Sequence, residues 1–166
     1  MKTGELIGVR ENLSTSYGPD RDYVDGVVEE RSVGEKDHTK LQRQLLVYYG
    51  KRAEKWGIQV FPGRRIQVSP TRFRVPDVCV TAGPEPAEQV FYTPPFMGVE
   101  ILSPEDRRSR VRERSDDYLP FGVPHAFLLD PEIRKAYRWT TAGMTEVSDL
   151  PTENPDIFVL LEALFE

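Results

Sequence analysis

The chain has very little with which to build a soft-metal site. Of its 166 residues one is cysteine, Cys79, and two are histidine, His38 and His125. A single cysteine excludes an internal disulfide and any cysteine-based zinc site, and two histidines exclude a histidine-rich one. A metal bound here would have oxygen ligands, which favour Mg²⁺, Mn²⁺ or Ca²⁺ over zinc or copper. Long apolar runs are missing too. None approaches the roughly 18 residues of a membrane helix, and residues 1–20 lack the apolar segment of a secretory signal. Nor is there an excess of positive charge. The net charge of −5 argues against a protein that coats nucleic acid through bulk charge. It leaves open an enzyme that meets a phosphodiester through a local basic patch. DRRSRVRER, with Arg107, Arg108, Arg110, Arg112 and Arg114, is the candidate. Together these absences fit a reducing cytoplasm and no membrane partner.

What is present divides simply. No repeat, low-complexity tract or linker splits the chain. Residues 1–22 read as a largely irregular arm with at most one short helix, and residues 23–166 as a single domain. YVDGVVEER carries a hairpin signal, because Asp25-Gly26 suits a two-residue turn needing positive φ. Leu41, Leu45, Tyr48, Tyr49 and Trp56 recur near the helical period, so a helix is predicted from about Asp37, as its cap, to Trp56, with Gly57 as its stop. Strands follow in IQVFPG, RRIQVSP, FRVPDVCV and VEILS, the last two separated by a Pro/Gly-rich loop over 83–95. A helix over roughly 105–119, capped by Ser103 or Asp106 and closed by Gly122, leads to the strand AFLLD. KAYRWTT and MTEVSD form a hairpin, and the apolar tail IFVLLEALF docks as an edge strand or short helix. Strand, helix and strand from Val99 to Asp130 make a crossover unit, so the fold class is α/β with a mixed sheet.

Two carboxylates interrupt apolar strand-like runs, Asp77 in FRVPDVCV and Glu100 in FMGVEILSP. A buried carboxylate needs a partner, a proton or a metal ion. Strand side chains alternate, so Phe73, Val75, Asp77 and Cys79 are expected on one face, and Glu100 with Gly98 and Leu102. Pro76 cannot donate a ladder hydrogen bond, which places Asp77 at a sheet edge or opening. Gly98 removes bulk beside Glu100 and would leave room for an ion or substrate. Two such acids on neighbouring strands can converge on one hard cation, which would polarise a phosphoryl oxygen and activate water. The competing reading of either acid taken alone is an exposed strand-end residue.

The ordered set YVDGVVEERS, the helix opening at His38, VPDVCV, VEILSPEDR and YLPFGVPHAFLLDPE resembles the Uma-two family of restriction-endonuclease-like proteins, within the PD-(D/E)XK nuclease superfamily. The resemblance spans residues 23–132. It implies a restriction-endonuclease-like mixed sheet flanked by helices, after an N-terminal hairpin, with Mg²⁺ or Mn²⁺ as cofactor and DNA as substrate. Asp77 matches the acid of the PD element and Glu100 that of the second element. The backbone carbonyl of Ile101 would add a metal contact. Glu30 fits the family's acidic position after the hairpin, as a water-mediated or supporting contact, although an exposed hairpin carboxylate is the plainer reading. His38 has a similar supporting role open to it, against a plain helix-end residue.

One departure matters. The superfamily's lysine normally lies two residues after the acid, where this chain has Leu102. Members resembling this one carry it on the following helix, before a tyrosine, and the matching position is Arg114. Arg107, Val111, Arg114 and Tyr118 recur at helical intervals, so Arg114 is expected to face the sheet, with Glu100 or Asp77 as partner. Arginine can stabilise developing phosphorane charge but cannot serve as a general base. Two functions therefore stand. One is a metal-dependent endodeoxyribonuclease, with a homodimer suiting two-fold duplex symmetry. The other is a catalytically impaired nuclease fold that binds nucleic acid or protein. The remaining arginines, Arg108, Arg110 and Arg112, are expected on a solvated face paired with Glu105, Glu113 and Asp116. Trp56 and Trp139 are expected as packing residues, Cys79 as a small buried side chain, and Asp130 as a turn former.

Overall fold

A computed structural model describes residues 6–17, 21–29, 35–104 and 108–165, without the side chains of 108–110. Its elements run α1 (Val9–Ser14), β1 (Asp22–Val24), β2 (Val27–Glu29), α2 (Lys36–Trp56), β3 (Ile58–Pro62), β4 (Ile66–Ser69), β5 (Arg72–Arg74), β6 (Val78–Ala82), β7 (Met97–Ile101), α3 (Arg108–Phe121), β8 (His125–Asp130), β9 (Lys135–Thr140), β10 (Gly143–Val147) and a closing 3₁₀ turn, Leu161–Phe165. Six strands form the main sheet in the order β10-β9-β8-β7-β6-β3. Only β7 and β8 in it are parallel, and α3 is the crossover between them. That is the expected α/β crossover. Among the described residues no helix is long and apolar enough to cross a membrane.

The hairpin forms where Asp25 and Gly26 both take positive φ, 49° and 95°, as a two-residue turn requires. It does not join the main sheet. β1 pairs with β5 and β5 with β4, giving a second, four-stranded sheet in the order β2-β1-β5-β4. FRVPDVCV is accordingly not one strand: β5 ends at Arg74 in one sheet and β6 starts at Val78 in the other. Two local features make the break. Pro76 has no N–H to give a ladder, and the Val75 N–H donates to Asp22 Oδ1 (3.0 Å). The alternation expected from Phe73 to Cys79 therefore does not carry across residues 75–77.

The two faces of the main sheet are read by parity. Val78, Val80, Met97, Val99, Ile101, Phe127 and Leu129 pack against Leu41, Leu45 and Tyr49 of α2 and against the C-terminal segment. On the other face Cys79 packs with Tyr118 of α3, Ile66 of β4, Phe91 and Val123. Burial pushes the Cys79 thiol up to about 12, so it behaves as a small apolar group. α2 ends as expected at Gly57, whose left-handed φ of 65° lets its N–H reach the carbonyls of Ala53 and Glu54. Its start differs. The N-cap is Glu35, without a side-chain cap bond, and Asp37 lies in the first turn. There it still complements the helix dipole. Asp130 is the expected turn former, its Oδ1 accepting the N–H groups of Glu132 (3.0 Å) and Ile133 (3.4 Å).

Candidate active site

Asp77 and Glu100 both lie at the same end of the β6–β7 pair. Val78 lies opposite Val99, and continuing that antiparallel register by one residue sets Asp77 opposite Glu100. Both are buried, at 5% and 1% exposure. Asp77 is held from three sides. Its Oδ2 accepts the Ile101 N–H (2.8 Å) and lies 3.4 Å from His38 Nε2, while its carbonyl accepts a hydrogen bond from Gln42 (2.9 Å). His38, Leu41, Leu45 and Tyr49 form the buried stripe of α2, so the histidine is the polar end of a helical face that otherwise feeds the core. Ile101 enters the site through its backbone N–H, with its side chain in the α2-side core.

Glu100 belongs to the opposite face, with Gly98. The Tyr118 hydroxyl donates to Glu100 Oε1. Arg114 Nη1 lies 3.9 Å from Glu100 Oε2. Val111, Arg114 and Tyr118 are all buried, so α3 presents them to the sheet. Burial, and then the charges of Glu100 and Asp22, hold the Tyr118 phenol well above its ordinary pKa, so it stays a donor. The space expected beside Gly98 is occupied. A Cβ built there would touch the Tyr118 ring at 3.9 Å. Glycine thus seats an aromatic ring against the strand rather than opening a void. Glu30 and Arg107 lie outside the described residues, as do the expected cap Asp106 and Glu105.

The residue pattern did not reveal the charged cluster behind α3. Arg74 is 1% exposed yet faces four carboxylates. Its Nε donates to Asp117 Oδ2 (2.7 Å), its Nη1 to Asp22 Oδ2 (3.1 Å), and Glu113 (3.5 Å) and Glu29 (3.7 Å) lie further out. Burial alone would depress the guanidinium. The charge of Asp22 and the bond and charge of Asp117 outweigh it and raise its pKa. Arg72 adds a second bond to Asp117 (3.0 Å) and one to Asp25 (3.0 Å). Glu113 reaches Arg74; its expected pairing with Arg108 and Arg110 falls on side chains outside the described ones. The signal was present: Arg74 is a charge inside an apolar run, FRV, just as Asp77 and Glu100 are. Asp117 directly precedes Tyr118, so the cluster anchors the helix turn that serves Glu100.

Two buried carboxylates at one end of the β6–β7 pair offer hard oxygen donors of the type Mg²⁺ and Mn²⁺ prefer. Among the described residues no group of three or more His, Cys, Asp or Glu side chains stands ready to enclose a metal ion. The donor set therefore suits an ion that keeps water and takes phosphate oxygens to complete its shell, as Mg²⁺ does.

Comparison with known proteins bears on the fold and on the family. A solved structure, described as a putative nuclease belonging to DUF820 from Anabaena variabilis ATCC 29413, superposes with a TM-score of 0.79 at 18% identity, over 96% of this chain and 97% of that one. At that identity the likeness shows the fold. No curated protein matches significantly. The family model Uma2, described as "Putative restriction endonuclease", matches residues 13–165. With a match over nearly its whole length, the chain belongs to the Uma2 family.

Proposed function

We propose that this protein is an endonuclease that hydrolyses DNA phosphodiester bonds with Mg²⁺ or Mn²⁺. The observation that carries the reading is the burial of Asp77, just before β6, and of Glu100, on the adjoining β7, with a buried arginine beside Glu100. Asp77, Glu100 and the Ile101 carbonyl would hold the ion. When bound, it would supply Lewis-acid activation of a phosphoryl oxygen and of water. The chain's own residues do the rest. The Ile101 N–H and His38 orient the Asp77 carboxylate. Tyr118 orients Glu100 through Oε1. Arg114 contributes fixed positive charge where charge builds on the phosphate, in place of the family's lysine. Because arginine does not release its proton at working pH, no step in this scheme gives it a proton to move. A two-fold dimer would place two such sites on the two strands of a duplex.

Leu102 at the usual lysine position, with arginine as the cation beside Glu100, favours a second reading. In it the fold is retained as a nucleic-acid or protein-binding module without catalysis. Conversion of supercoiled plasmid to nicked and linear forms in Mn²⁺ or Mg²⁺ decides between them. The nuclease reading expects cleavage by the wild type, abolished in Asp77→Asn and Glu100→Gln. Plasmid binding without cleavage in either ion would support the module instead.

A further inference from the structure

We propose that the cavity between α3 and strands β8–β10 is a base-binding pocket that takes one unstacked nucleobase of the strand being cut. The inference rests on the nuclease reading for its biological setting, and on separate residues for its chemistry.

The cavity measures about 130 Å³. A single water needs on the order of 10–15 Å³ by the same measure, so there is room for a flat ring. Its place follows from strand register. Glu100 lies opposite Leu128, and Leu128 opposite Tyr137. Both Leu128 and Tyr137 line the cavity. Neighbouring strands are roughly 4.8 Å apart, and cross-strand partners share a face. The floor of the cavity therefore begins one strand away from the acid, on the same side of the sheet. A nucleotide with its phosphate at Glu100 would carry its base over this floor.

The lining suits a base. Val111 from α3 and Leu128 from the sheet give apolar walls. Trp139, 6% exposed, lines the cavity, and its buried indole N–H has no hydrogen-bond partner among the described residues. A buried donor left unmade is costly, and an acceptor atom in a ligand would relieve it. Asp130 is fixed at the edge by the two N–H groups on its Oδ1, and offers an acceptor to an exocyclic amino group. A nucleobase sets ring acceptors beside amino donors on one flat edge, which is the complementary pattern. Arg112 is exposed, lies over the Trp139 ring at 5.9 Å and stands at the rim, where the sugar-phosphate would leave.

The test is calorimetric titration with dAMP, beside base-free 2-deoxyribose 5-phosphate, of the wild type, Trp139→Phe and Leu128→Phe. Trp139→Phe keeps a ring and removes the donor; Leu128→Phe fills the floor. The expected result is saturable dAMP binding, with the base-free probe and both variants weaker by roughly tenfold or more. If Leu128→Phe does not fold, Trp139→Phe carries the test. Equal binding of dAMP and the base-free probe, unchanged affinity in Trp139→Phe, or no dAMP binding would overturn the pocket. The same titration on Glu100→Gln separates the two readings. The pocket expects dAMP binding to survive there. No dAMP binding by a wild type that cleaves plasmid would remove the pocket and leave the nuclease.

Discussion

Replacing Arg74 by methionine should be the most damaging single substitution in the charged cluster. The change keeps much of the side chain's apolar length and removes its charge. It leaves Asp22, 3% exposed as a side chain, and Asp117, 15% exposed, without the guanidinium they bind at 3.1 and 2.7 Å. Removing one partner of a buried pair costs about 3–5 kcal/mol, because the other charge stays buried. For a chain of this length each kcal/mol moves the midpoint by roughly 2–4 °C, so Tm should fall by about 10 °C. The local consequence is as informative. Asp117 and Glu113 tie α3 to the four-stranded sheet through Arg74, and Tyr118 and Arg114 ride on that helix. Arg74→Met should therefore loosen the grip on Glu100 as well as the fold. The assay is urea unfolding, with Arg72→Met as the contrast. Arg72 also binds Asp117 but is about a third exposed, so its loss should be small after solvent screening. An Arg74→Met loss below about 1 kcal/mol, or one no larger than that of Arg72→Met, would refute the reasoning.

Further expectations follow from the same geometry. If Arg114 acts by charge alone, Arg114→Met should lower plasmid cleavage by about 10²–10³-fold, and Arg114→Lys should restore most of it; a fully active methionine variant would exclude the role. Gly98→Ala should be neutral or stabilising by about 0.5 kcal/mol in urea unfolding, since the added Cβ meets Tyr118 at an ordinary 3.9 Å and the unfolded chain loses freedom. Gly98→Ile should lose about 1–3 kcal/mol by overpacking the ring. Burial, aided by Arg138, lowers the His125 pKa from 6.5. The unfolded state thus binds this proton first, and the stability it contributes is complete above pH 6.5 and lost as pH falls toward the native value. Unfolding free energies between pH 7 and 5 should show that decline, and His125→Gln should flatten it; an identical slope in the variant would contradict it.

The sequence was most legible where a local rule had a single answer. Asp25-Gly26 required its turn, Gly57 ended α2, and the strand, helix and strand from Val99 to Asp130 formed a parallel crossover. The acidic pair was legible because a charge in an apolar run has few inexpensive explanations. What the pattern did not yield depends on partners distant in the chain. The transfer from β5 to β6 needs the Asp22 side chain to take the Val75 N–H, fifty-three residues away. The Arg74 cluster draws acids from the hairpin and from α3, and no spacing within FRV announces them. Gly98 was read as an opening because the Tyr118 ring that occupies it comes from another element.

Metal binding by the buried acids is best examined by calorimetric titration of Mn²⁺ into the wild type, Asp77→Ala and Glu100→Ala, with and without a short DNA duplex whose backbone is made non-hydrolysable. The proposed site predicts saturable Mn²⁺ binding in the wild type, strengthened by the duplex and lost in both variants. Absence of binding in the wild type even with DNA, or binding that survives both substitutions, would contradict it.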